Sequence, residues 1–289
     1  MARRSERTGG TVGRLRYLLT LSRPRFWLYL AGPVAVGVTF AATTTADLFT
    51  PATIGLFAYF LLPANVFLYG VNDVFDADVD AANPKKDDRE ARWQGDPAVA
   101  VVIAAATFLG AGTFALTPLV AWPYLAGFFF LGFQYSAPPL RFKTTPLLDS
   151  VSNGLYVLPG VAGYVAVAGV APPLVVVVAG WLWTMAMHTF SAIPDVEPDR
   201  AAGVATTATV LGQTGALAYC VGCWLAGALL AAVHAPALGL LFGAYPVLGA
   251  AVGLADVEID RAYAWFPLVN GLLGMVLTLA GLWRVVGVA

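Results

Sequence analysis

The chain has 289 residues, of which 59% are hydrophobic and 11% charged, and its formal net charge is −1. Soluble domains carry about 45–50% apolar and about 25% charged residues, so a soluble enzyme and a disordered protein are excluded. So is a nucleic-acid binder, because a near-neutral chain has no bulk field to recruit a polyanion.

Residues 1–22 form a basic N-terminal segment. A membrane span needs about 20 mostly apolar residues. Nine runs follow as candidates: roughly 26–45, 52–72, 97–116, 119–136, 148–170, 174–193, 208–233, 238–255 and 263–283. The first is too long for a signal peptide and has no small-residue cleavage site before the next run. The expected fold is all-α: a polytopic membrane protein forming a single domain over 1–289.

Basic residues set the orientation. With the N-terminal segment in the cytoplasm, 15 of the 16 Lys and Arg residues face that side, and only Arg284 falls opposite. Of the 17 acidic residues, only Asp47 falls in an outer loop. Insertion rules ask little of carboxylates, so their crowding on one face points to a site for divalent cations.

The first acidic cluster is Asn72-Asp73-Val74-Phe75-Asp76-Ala77-Asp78-Val79-Asp80. If the second span continues as a helix, Asp73, Asp76 and Asp80 share a face. Stacked carboxylates repel, so a cation belongs among them, and Mg²⁺ suits one or two carboxylates plus phosphate oxygens. The second cluster, Asp195-Val196-Glu197-Pro198-Asp199, ends the sixth span, where Pro194 and Pro198 make the helix irregular. Asp76 to Asp195 and Asp80 to Asp199 are both offset by 119 residues. That recurrence predicts two pseudo-repeated four-helix halves plus one helix, with a site between the halves. Basic groups accompany the acids at Lys85, Lys86, Arg141 and Lys143. Carboxylates for metal with cations for phosphate oxygens make a diphosphate site. Asp78, Asp87, Asp88, Glu90 and Asp96 read as solvated loop acids.

These residues resemble the UbiA superfamily of intramembrane prenyltransferases. Asn72, Asp73, Asp76 and Asp80 match its N-D-x-x-D-x-x-x-D motif, and Asp195 with Asp199 matches its D-x-x-x-D motif, followed by Gly203 and Thr206. The resemblance implies that Asp73, Asp76, Asp195 and Asp199 are catalytic. It implies that they and Asn72 and Asp80 bind Mg²⁺, and that Lys85, Tyr135, Arg141, Lys143 and Arg23 contact the diphosphate. The runs Ser22-Arg23-Pro24-Arg25-Phe26-Trp27, Tyr69-Gly70-Val71 and Met187-His188-Thr189-Phe190-Ser191-Ala192-Ile193-Pro194 are similar to lycopene elongases of the C50 carotenoid pathway, notably the haloarchaeal bacterioruberin branch. That likeness implies dimethylallyl diphosphate as donor and a lycopene-like acceptor reached through membrane lipid, with hydration accompanying the addition. An apolar acceptor also suits the lack of a buried cation away from the cytoplasmic loops, where only Arg284 is found.

Two other functions fit less well. One is a prenyltransferase for an archaeal ether lipid or a quinone, whose acceptor carries a polar head. The other is a cation-coupled transporter, whose acids belong near the bilayer midplane and not at one surface. His188 precedes Asp195 by two helical turns, where it could handle a proton or water, or simply pack. Asn270, in the middle of the last span, calls for an interhelical partner. Cys220 and Cys223 read as small packing residues, and neither a disulfide nor a redox pair is expected of them.

Overall fold

The computed structural model describes residues 11–76, 93, 95–255 and 257–287, and every regular element among them is helical. Helix α1 is Thr11–Leu21, α2 Trp27–Ala41, α3 Pro51–Leu61, α4 Pro63–Phe75, α5 Pro97–Leu116 and α6 Trp122–Ser136. Then come α7 Leu158–Ala168, α8 Leu174–Ala192, α9 Thr207–His234, α10 Pro236–Phe242, α11 Ala244–Leu254 and α12 Phe266–Val286. Seven helical stretches among the described residues are long and apolar enough to cross a membrane: Pro51–Phe75, Pro97–Leu116, Leu148–Ala168, Leu174–Ala201, Thr207–His234, Pro236–Leu254 and Ile259–Val286. The predicted first and fourth spans appear as α2 and α6, of 15 residues each. At 1.5 Å per residue each measures about 22 Å, short of the roughly 30 Å hydrocarbon core. Both follow a 3₁₀ turn, Pro24–Phe26 before α2 and Leu119–Ala121 before α6. The lipid-facing surface is openly apolar, with Phe108 78%, Leu240 82% and Leu254 89% exposed. The chain is a multi-pass membrane protein.

The predicted second span is two helices. Pro63 has no N–H to offer and disfavours a helical residue before it, and Leu62 leaves the helix at φ −128°, ψ −58°. The carbonyls freed at the break accept from Asn65 Nδ2, Phe60 O and Leu61 O each at 3.1 Å. A second break falls inside α9 at Gly212, whose φ of 70° glycine alone adopts easily. Arg200 fills the gap, with Nε and Nη2 donating to Thr209 O at 2.9 and 2.6 Å.

Side chains of α1 to α7, among them Leu30, Phe60, Phe67 and Phe128, make one buried cluster. Phe190, Trp224, Tyr245 and Phe266, from α8 onward, make another. Helix α2 packs closely on α7, α8 on α9, and α12 returns against α2. The α2–α7 approach depends on glycines, since a Cβ on Gly37 would lie 2.0 Å from Gly160 O. Asn270 has the interhelical partners expected of it. Its Nδ2 donates to Tyr29 Oη at 2.9 Å, and its Oδ1 accepts from Tyr245 Oη at 2.7 Å. Cys220 and Cys223 are unpaired thiols, Cys220 within the second cluster.

Candidate active site

The last turn of α4 carries Asn72 and Asp73, and Asp76 closes it, with its N–H donating to Asn72 O at 3.0 Å. The helix therefore stops at Phe75 and does not continue through the whole first cluster. Asp73 and Asp76 are buried, 2% and 1% exposed. A carboxylate that far from water needs charge partners, and three of the predicted cations supply them. Arg23 Nη2 is 3.8 Å from Asp73 Oδ1, with its guanidinium 4.4 Å over the Tyr69 ring. Arg141 Nη2 is 3.3 Å from Asp76 Oδ1 and donates to Phe75 O at 3.4 Å. Lys143 Nζ pairs with Asp76 Oδ2. Asn72 Nδ2 donates to Ser136 Oγ at 2.8 Å.

Arg23 and Arg141 share a backbone oddity. Each is left-handed, at φ 47° and 41°, and each heads a 3₁₀ turn. A non-glycine residue held there costs about 1–3 kcal/mol. In both cases the reversal turns a long cation back onto a carboxylate of the first motif.

The second motif is irregular, as its prolines dictate. Helix α8 gives way to a 3₁₀ turn at Ile193–Asp195 and then to a short helix, Val196–Ala201, that carries Asp199. Gly203 is left-handed at φ 71°. Thr206 caps α9, its Oγ1 accepting from Thr209 N at 3.1 Å. Among the described residues no three His, Cys, Asp or Glu side chains converge on a common metal position. Asp80 and Lys85, like Asp78, Asp87, Asp88 and Glu90, lie outside the described residues. Asp96 is more than a solvated acid: Oδ1 caps α5 through Ala98 N at 2.9 Å, and Oδ2 pairs with Arg14 Nε at 3.0 Å.

A cavity of about 710 Å³ opens beside the first motif, where Arg23, Asn72, Tyr135 and His188 line it. The Tyr135 hydroxyl is 3.4 Å from His188 Nε2. Ser191, four residues before Asp195, also lines it. The cavity follows one face of α2 through Tyr29, Pro33, Val36 and Phe40, and one face of α8 from Ser191 back to Val176. Arg23 and Arg284 are the lining Arg, Lys, Asp and Glu residues, one at each end, and the wall between them is mostly aliphatic and aromatic, with Asn153, Thr184 and Asn270 set into it.

Asp149 was not singled out from the sequence. It is 1% exposed. Its Oδ2 accepts from Thr207 N at 2.9 Å and its Oδ1 from Thr207 Oγ1. This carboxylate clasps the head of the helical stretch containing α7 to the head of α9. The available signal was an acid just inside a predicted span, with a Thr-Thr helix start later in the chain.

Residues 30–272 match the UbiA prenyltransferase family. The chain belongs to that family. This UbiA prenyltransferase is 63% identical to the lycopene elongase/hydratase of Haloferax volcanii, over 96% of its own length and 92% of the relative's. It is 61% identical to the protein of the same name from Halobacterium salinarum, over 94% and 98%. Its fold matches a UbiA homolog from Archaeoglobus fulgidus, solved bound to GPP and Mg²⁺, with a TM-score of 0.75 at 22% identity over 92% and 99% of the two chains. The form of that homolog bound to DMAPP and Mg²⁺ gives 0.74 at 22% identity, over 92% and 98%.

Proposed function

We propose that this UbiA prenyltransferase elongates lycopene, moving a dimethylallyl group from its diphosphate to the end of the polyene and adding water there. One observation carries the reading most directly. The cavity beside the carboxylates is mostly apolar along its wall and follows one face each of α2 and α8. It suits a long hydrocarbon better than an acceptor with an anionic head. The haloarchaeal relatives, covered nearly end to end, bear the matching name.

The donor set suits Mg²⁺, since Asp73, Asp76 and the Asn72 amide offer hard oxygens within one turn. Asn72, Asp73, Asp76 and Asp80 would hold one ion and Asp195 and Asp199 another. Bound there, Mg²⁺ supplies neutralisation of the diphosphate charge. Arg23, Arg141 and Lys143 already stand on the first-motif carboxylates. With Lys85 and Tyr135 they contact phosphate oxygens, and they stabilise the charge that develops as the allylic carbon–oxygen bond breaks. The dry wall protects the allylic cation from water. The terminal double bond of the polyene attacks it, forming a carbon–carbon bond and leaving a tertiary cation on the acceptor. A water held by the Tyr135–His188 pair adds its oxygen to that carbon, and His188 takes the proton.

In this reading the whole chain is one domain of nine transmembrane helices, α2 and α6 crossing with their 3₁₀ turns. The motif end and the basic segment 1–22 face the cytoplasm across the cell membrane.

The test is to incubate purified protein with Mg²⁺, dimethylallyl diphosphate and lycopene. C45 and C50 products are expected. They should vanish in Asp76→Ala and Asp195→Ala while the variants remain folded. Turnover of a polar-headed acceptor alone would overturn the reading, and full activity in both variants would remove the metal-site assignment.

A further inference from the structure

We infer that Asp149, an acid outside both motifs, is a positioning residue for the water-adding step: its buried charge stabilises the imidazolium that forms when His188 takes the proton. The inference rests on the hydration reading above and extends it.

Asp149 stands at the start of the membrane-spanning stretch Leu148–Ala168 and is 1% exposed. Among the described residues no Lys or Arg pairs with it. Its oxygens accept from Thr207 N and Thr207 Oγ1 at the start of α9, where the helix dipole favours a carboxylate in its charged form. Starting that helix does not require a charge. Neutral side chains cap helices as well, and Thr206 Oγ1 already accepts from Thr209 N. A charge kept inside a membrane protein beyond such a need points to function.

The segment carrying Asp149 docks on α8 at the level of His188. The neighbouring Ser150 Oγ donates to Met185 O at 3.1 Å and accepts from Thr189 Oγ1 at 3.0 Å, and these two residues bracket the histidine. One turn after Asp149, Asn153 Nδ2 donates to Asp149 O at 2.7 Å, and Asn153 shares the cavity wall with Tyr135 and His188. The charge of Asp149 acts on both Tyr135 and His188. When water adds to the tertiary cation, its oxygen bonds to the carbon, one O–H bond breaks and the proton passes to His188. The ring becomes positive where little water can screen it. A fixed carboxylate nearby lowers the cost of that charge, as in other acid–histidine arrangements.

The test compares wild type, Asp149→Asn, Thr207→Val, His188→Phe and the double variant of Asp149→Asn with His188→Phe. Each receives lycopene, dimethylallyl diphosphate and Mg²⁺, and the readout is the ratio of alcohol to alkene in the alkylated product. A ratio does not depend on how much of the protein is folded, so lost stability alone leaves it unmoved. Asp149→Asn keeps the shape and removes the charge. It should lower the ratio roughly tenfold, part of the hundredfold or more that a general base supplies. Thr207→Val weakens the clasp and keeps the charge, so it should melt lower with the ratio unchanged. In the His188→Phe background Asp149→Asn should have no further effect, because the charge acts through the ring. An unchanged ratio in Asp149→Asn overturns the inference, and so does an equal fall in Thr207→Val. Failure of the reading beneath it looks different: His188→Phe would then hydrate as wild type does, or wild type would make no C45 product at all.

Discussion

Tyr135 and His188 face each other edge-on across the carboxylate end of the cavity, ring centroids 5.8 Å apart and Oη 3.4 Å from Nε2. Tyr135 comes from the last turn of α6 and His188 from the last turns of α8. The pair thus links α6 to α8 through side chains that can pass a proton. His188→Phe should keep diphosphate release and carbon–carbon bond formation while lowering the hydrated share of product roughly a hundredfold, the scale of a lost general base. Mass spectrometry of the products separates alcohol from alkene. Unchanged hydration would take the proton role away from His188.

The left-handed Arg141 offers a test of strain against charge. Arg141→Gly relieves the backbone cost at φ 41° and gives up an ion pair that is partly open to water, the Arg141 side chain being 37% exposed. These effects oppose each other, so the melting temperature should hardly move. KM for the allylic diphosphate should rise about tenfold or more, because the cation meant for phosphate is gone. A collapse in stability with KM unchanged would make Arg141 a structural residue.

Gly37 sets the spacing of α2 and α7. In Gly37→Ala the new methyl would lie 2.0 Å from the Gly160 carbonyl oxygen, and backbone cannot rotate aside as a side chain can. The helices must separate, at about 1–3 kcal/mol. Thermal melts in detergent should show a clear loss of stability, and an unaltered melt would mean that this approach is slack.

Asp47, on the loop between α2 and α3, should confer a pH dependence. The Thr43 and Thr44 backbone N–H groups, at 2.9 and 2.8 Å, hold its carboxyl below the usual carboxylate range. A carboxyl lowered in the folded state stabilises above the unfolded value of about 3.9, and the benefit is lost as pH falls through the folded value. Wild type should therefore melt higher than Asp47→Asn at pH 7, with the gap closing as the pH drops below about 4. A gap that persists in acid would contradict the assignment.

The apolar runs and the paired motifs could be read in advance because a bilayer leaves few alternatives: the backbone must be helical, and charge inside must have a reason. The break before Pro63 was available in principle, but averaging over the run 52–72 concealed it. The glycine break at 212 was harder, since a lone glycine in an apolar run is common in membrane helices. Local spacing could not show that Arg141 and Lys143 would close on Asp76, some 65 residues away, because a left-handed residue and a 3₁₀ turn bring them there. Asp149 escaped for a related reason: its partner Thr207 is supplied by a different helix, 58 residues later.

Helix α12 follows the other described helices in the chain, yet Asn270, Leu273, Leu277 and Arg284 are part of the cavity wall, and Asn270 is bonded to Tyr29 of α2. The chamber therefore stays unsealed until α12 has docked on α2. A nascent or C-terminally truncated chain would carry the complete set of motif carboxylates without a closed place to shelter a carbocation. The motif carboxylates alone do not make the chamber; its closure waits on α12.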